Sequence, residues 1–177
     1  MIWDSRPWKK PLLDNATWLR SIRLKETTRE STYVRIEKEI MISFYSIRKL
    51  FDTVKISDST INQTYSIVWF KNINPVRYFN WHNVDNNFNL HEEHFETRDI
   101  RFICNRFIHS YIFLPVQDNN SKLDGFFVST DHDKDKKLYF IELKVVLKIF
   151  RLVGRDYPSK IITIIDKKTN NEKHRVM

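Results

Sequence analysis

Residues 123–154, LDGFFVSTDHDKDKKLYFIELKVVLKIFRLVG, decide the fold class, because two extended runs, a charged turn and a helical repeat follow one another without a break. Gly125 to Thr130 and Lys137 to Leu143 are rich in β-branched and aromatic residues, and the charged tip between them predicts a β-hairpin. Leu143, Val146, Leu147, Phe150 and Val153 then recur every three or four residues, which predicts a helix closed by Gly154 in the C′ position.

Upstream, Thr97 is placed to cap a helix whose apolar face is Ile100, Ile103, Cys104, Phe107 and Tyr111, limited by Pro115. Before it, Ile61, Tyr65, Ile67 and Trp69 keep a two-residue beat, so residues 60–72 predict a strand broken by Pro75. The segment VRYFNWHNVDNNFNLHEEHFE (76–96) reads as loop or short strand pieces. Tyr33, Ile36, Ile40, Phe44, Ile47 and Phe51 mark a long helix over residues 31–54. A first helix over 15–29 is expected from Asp14 and Asn15 as caps, with Trp18, Leu19 and Ile22 on one face. Pro7 and Pro11 predict an extended arm over residues 1–13, with Trp3 and Trp8 docked on the chain itself or on a partner. At the other end, Pro158 opens a buried strand over 160–166, and KKTNNEK (167–173) turns into a charged tail.

The expected whole is a single α+β domain over residues 1–177, with the arm at 1–13, a helical hairpin at 14–55 and a mixed body at 60–177. An N-terminal helical pair packs with a small, mostly antiparallel sheet and two further helices.

Composition narrows the function. At 177 residues with 41% hydrophobic side chains, the chain can bury a core without disulfides, and the single cysteine, Cys104, has no internal partner. Only two glycines occur, so the usual glycine-rich phosphate loops are absent. A net charge of +8 favours a phosphate-bearing or acidic partner, and a 14% aromatic share exceeds what a core of this size easily hides. With no apolar N-terminal signal segment and no long uncharged stretch, the expected location is the cytoplasm, away from membranes.

Five residue sets could carry chemistry. Asp124 followed by Glu142-Leu143-Lys144 resembles nucleases of the PD-(D/E)xK class, which implies two carboxylates holding Mg²⁺ and a lysine orienting water. A strand through Lys144 would put Glu142 and Lys144 on one face, whereas a helix starting at Leu143 would swing them apart. Asp131, Asp133, Asp135 and Glu142 fall at calcium-loop positions 1, 3, 5 and 12, but Lys136 stands where that loop needs glycine. Arg101, Asn105 and His109 share a helix face, and Asn105-x-x-x-His109 resembles part of the signature of HEPN ribonucleases, with Cys104 at the position of the arginine. His91-x-x-His94, with His82 and nearby glutamates, has metal-ligand spacing in a loop of undefined shape. Finally, rings and cations interleave in WFKNINPVRYFNWHN (69–83), a pattern suited to single-stranded nucleic acid.

The expected function is a basic, non-catalytic binding or accessory module that associates with nucleic acid or docks into a larger complex. Its contacts would be Trp69, Lys71, Arg77, Tyr78, Trp81, Arg98, Arg101 and His109. The alternative is a small Mg²⁺-dependent nuclease using Asp124, Glu142 and Lys144, and no other metal or cofactor is expected.

Overall fold

Hydrophobic periodicity sets the first two helices. In the computed structural model, which describes residues 2–165 and 171–177, α1 spans Arg6–Ser21 and α2 spans Glu30–Leu50. Helix α3 (Asp58–Ile61) leads into β1 (Thr64–Lys71), and α4 (Val84–Asn87) precedes β2 (His94–Asp99). Then follow α5 (Ile100–Ile108), β3 (Ser110–Gln117), β4 (Leu123–Thr130), β5 (Lys137–Glu142), α6 (Leu143–Arg155), β6 (Ile161–Ile165) and β7 (Glu172–Val176). The fold is α+β: an antiparallel sheet in the order β2-β1-β5-β4-β3, a separate β6-β7 pair, and an N-terminal helical pair. Among the described residues no helix is long and apolar enough to cross a membrane.

Strand alternation gives the main sheet two faces. One carries Ile67, Tyr139, Ile141, Phe126 and Val128 into the core with α1, α2, α5 and α6, where Phe44 stacks on Phe107 with centroids 4.3 Å apart. The other carries Phe70, Leu138 and Ile112, covered by Val76, Val84 and Phe88 from the segment between β1 and β2.

Several elements depart from the sequence expectation. The extended arm is helical from Arg6: Pro7 sits in the first turn, where a missing N–H costs nothing, and Pro11 lies inside the helix, which forgoes one backbone bond there. Trp8 therefore packs half-buried on the core from a helix, while Trp3 is 97% exposed. Asn15 is not a cap but a buried tie, donating to Glu39 Oε2 and Ser43 Oγ of α2, each at 3.0 Å. The helix stops at Ser21 because Ile22 to Leu24 run alongside the start of β4, with a bridge between Arg23 and Lys122. Thr97 lies in β2. The cap of α5 is Asp99, whose carboxylate accepts from Phe102 N at 2.7 Å. Tyr111 and Pro115 belong to β3, an edge strand, where proline is tolerated. β6 is largely exposed, and the expected charged tail is its partner β7; the turn expected over KKTNNEK lies partly outside the described residues.

Gly154 is likewise no C′ cap. It lies inside α6 without positive φ, and a Cβ there would stand 2.7 Å from Leu13 Cδ2 and 3.3 Å from Lys9 O, so its bare backbone lets α1 cross α6 closely. At that crossing the Lys9 side chain is fully buried, and its Nζ donates to Lys55 O at 2.7 Å and to Asp156 O, with the Tyr157 ring 4.3 Å away. One ammonium thereby ties α1 to the end of α6 and to the α2–α3 connection. Burial pushes the Lys9 pKa below its usual 10.5, against the opposing pull of Asp156. Across the window between the lowered folded value and 10.5 the unfolded chain binds the extra proton, so stability rises with pH there. Lys9→Met should cost roughly 1–3 kcal/mol at neutral pH by leaving two carbonyls without a donor, and should remove that rise. Denaturant unfolding at a series of pH values checks both effects.

Candidate nucleic-acid interface

The segment between β1 and β2 is asparagine-rich because its turns are held by side-chain amides. Asn72 Nδ2 donates to Asn74 O at 2.7 Å and Asn87 O at 3.0 Å, and Asn87 Nδ2 donates to Asn80 O at 2.7 Å. Asn80 Oδ1 accepts from Arg77 N at 2.6 Å while its Nδ2 donates to Pro75 O at 3.0 Å. Such bonds let asparagine substitute for secondary structure in satisfying backbone groups. Val76 N donates to Asp135 Oδ1 at 2.8 Å, fastening the segment to the β4–β5 turn.

With Val76, Val84 and Phe88 turned inward, the next side chains point out. Tyr78 is 75% exposed and Phe79 87% exposed, edge to face with centroids 5.2 Å apart. Arg77 beside them is exposed, Trp81 is half-buried against His82, and Lys71 is exposed where β1 enters the segment. Each ring left in water forgoes roughly 2 kcal/mol of burial, so two adjacent ones on a pinned backbone are the candidate contact surface.

A second aromatic and cationic cluster lies on the helix-side face of β2, β1 and β5. Trp69 receives His94 from β2 at 4.2 Å between ring centroids and Lys137 Nζ from β5 at 4.1 Å. The Arg98 and Arg106 guanidiniums lie 4.6 and 4.5 Å from the centroid of Phe102. Glu96 joins the two groups: its carboxylate accepts from Arg98 Nε at 2.8 Å and Lys137 Nζ at 2.9 Å. Arg106 also pairs with Asp133. Burial pushes the Tyr139 hydroxyl up to about 12, with the Glu96 charge adding to it. Burial also draws the Arg106 pKa down. For Glu96, burial works to raise the pKa, but the bonds from Arg98 and Lys137 prevail and hold it below its ordinary value. The cluster is thus internally paired, with its rings in contact with its own cations, and it braces α5 against the sheet.

The expected contacts therefore separate. Arg77, Tyr78 and Trp81 belong to the asparagine-pinned platform; Lys71, directly opposite Lys137 in the register, is turned by strand alternation to the helix-side face, where Trp69 and Arg98 form the sheet cluster. Arg101 points to the end of α2, 3.6 Å from Asp52 and over Phe51, while His109 is exposed at the C-terminal cap of α5. Neither adjoins the platform. Glu142 stands opposite Gly125 at the end of β5, while Lys144 lies in α6 and pairs with Glu142, so the two do not share a strand face. Asp124 is the extra residue at an irregularity in β4, between Leu123, opposite Gln117, and Gly125, opposite Val116. In the turn expected to resemble a calcium loop, Asp131 pairs with Lys134, Asp133 with Arg106, and Asp135 with Val76 N, so the carboxylates diverge. Among the described residues no group of three or more His, Cys, Asp or Glu is placed to hold a metal ion.

Phe79 is the platform residue missing from the expected contacts, although it sits inside the same ring-and-cation run. Glu96 and Lys137 were also passed over; the alternation His94, Glu96, Arg98 on one strand face is the signal that marks them. In comparisons with known proteins, no family model matches the chain, and neither does any curated protein or solved structure.

Because the Glu96 pKa is depressed in the folded state, its contribution is complete above about 4.5 and is lost as pH falls through the folded value. Glu96→Gln should lower stability by roughly 1–3 kcal/mol at pH 7 and flatten the acid side of the stability profile. Thermal unfolding between acid and neutral pH measures this.

Proposed function

We propose that the chain is a basic, non-catalytic module that binds single-stranded nucleic acid. Tyr78 and Phe79 stack on bases, while Arg77 approaches phosphates. The observation that carries this reading is the pair of exposed rings on a backbone held by asparagine side chains. Every base offers a π-face, so such rings bind without a sequence code, and a pinned loop loses little entropy on binding. The +8 charge supplies long-range attraction to the phosphate backbone. The alternative Mg²⁺-dependent nuclease calls for Glu142 and Lys144 on one strand face, whereas β5 ends at Glu142 and Lys144 lies in α6.

Fluorescence anisotropy with a labelled single-stranded oligonucleotide at low salt tests the reading. Tyr78→Ala/Phe79→Ala should weaken binding about tenfold or more, since each stacked base contributes roughly 1–3 kcal/mol. Unchanged affinity in that variant would remove the platform from the interface.

The C-terminal hairpin favours a second reading, membership of a larger assembly. Ile161, Ile164 and Ile165 are exposed on a two-stranded sheet, both edges of which are unpaired among the described residues. In its simplest form, self-association, light scattering should show a mass above the monomer that returns to the monomer in Ile164→Lys.

A further inference from the structure

Helix α6 has a feature that its apolar repeat conceals. Lys144, Lys148 and Arg155 are exposed and Arg151 is half-buried; apart from Leu152, every other residue of the helix is buried. The four cations are spaced i, i+4, i+7 and i+11. At 100° per residue they fall within an arc of about 60°, and at 1.5 Å per residue the row is about 16 Å long. They border a groove of about 550 Å³ beside α6, whose lining also includes Ser57, Thr60, Leu152 and Asp156.

The row is not built as an ordinary solvated face. Such faces interleave both signs, and like charges four residues apart destabilise a helix. Here Lys144 and Lys148 form one like-charged pair at that spacing, and Arg151 and Arg155 form another. Lys144 also sits in the first turn, where the helix dipole disfavours a cation, and its compensation is Glu142 at the cap. Among the described residues Lys148, Arg151 and Arg155 make no ion pair. The one carboxylate lining the groove, Asp156, is engaged with Ser57, accepting from its N at 2.9 Å and its Oγ at 2.6 Å. A concave surface with four aligned cations and one committed anion matches a linear polyanion. The steps between neighbouring cations, roughly 4.5–6 Å along the axis, lie within reach of successive phosphates for long, flexible side chains.

We propose that the groove beside α6 is a phosphodiester-binding site, in which Lys144, Lys148, Arg151 and Arg155 track the backbone of nucleic acid. The proposal rests on reading the chain as a nucleic-acid-binding module and adds to it a separate backbone contact. Lys148 Nζ lies 5.4 Å from the centroid of Tyr65, near the start of β1, whereas the platform follows Lys71 at its end. Tyr65 and α6 lie on the helix-side face of the sheet and the platform segment covers the opposite face, so the groove and the platform are separate contacts.

The test is the salt dependence of oligonucleotide binding by the full chain. Each neutralised phosphate contributes about 0.7 to the slope of log K against log salt for a single strand. The quadruple variant Lys144→Gln/Lys148→Gln/Arg151→Gln/Arg155→Gln should lower that slope by about 2–3 and weaken binding at low salt tenfold or more. Its circular dichroism melt should stay close to that of the wild type, because the changes face solvent. Tyr78→Ala/Phe79→Ala should instead lose affinity with its slope nearly intact. If the quadruple variant binds with an unchanged slope while the ring variant is weakened, the groove proposal fails and the platform reading stands. If only the quadruple variant is weakened, the groove stands and the platform reading fails. Loss of binding to phosphatidylserine vesicles without loss of oligonucleotide binding would assign the row to a lipid surface and overturn the proposal.

Discussion

The closeness of α1 to α6 is the constraint on which the rest of the structure depends. It exists because Gly154 has no side chain and because Lys9 supplies an ammonium at the place where helix α6 runs out of partners for its carbonyls. Burying a lysine costs free energy unless its donors are used, and here two backbone oxygens from different parts of the chain use them. The same contact seats α1 between α6 and α2, and α6 in turn presses on β4 and β5. The other glycine acts in a similar way: at Gly125 a Cβ would stand 2.6 Å from the Phe140 ring, so the central hairpin closes only without one. A chain with two glycines spends both on close approach rather than on turns.

Aromatic residues fall into two populations with different physics. In the sheet cluster, rings are matched with cations of the same chain, and those cations pair with Glu96 and Asp133. On the platform the polar work is done by asparagine amides beneath the surface, while Tyr78 and Phe79 stay in water, edge to face with each other. The α6 row divides similarly, since its apolar side is consumed by the core and its cations face a groove. Affinity on such a surface would come from stacking and counterion release together, which respond differently to salt.

Much of the fold was legible in the sequence. The long α2 helix, the central hairpin and the α6 repeat follow from side-chain periods of 3.6 and 2, which survive in any context that buries one face. The errors came from residues with two uses. Pro7 and Pro11 predict an extended arm, yet Pro7 lies in the first turn of α1, where no backbone donor is needed, and Pro11 is carried inside the helix at the loss of one backbone bond. Pro115 was read as a stop, yet an edge strand leaves one side of its backbone unpaired. Thr97 has the chemistry of a cap, but Asp99, two residues on, took that place when β2 paired with β1. Of the candidate site, Arg77, Tyr78 and Trp81 are legible as interleaved rings and a cation, whereas Lys71 is turned to the other face by strand alternation and the α6 row is masked by the apolar repeat on the opposite side of its helix.

By itself the sequence determined the α+β class, the principal helical and strand periods and the excess of rings and positive charge, because these depend on local alternation and composition. Only the tertiary structure decided which rings remain in water, which cations are neutralised and which rings share a side of the sheet. Those outcomes depend on strand register and on contacts between residues far apart in the chain. One residue of register turns a side chain to the opposite face, and that single step sends Tyr139 to the helix-side core and Phe140 to the other cluster.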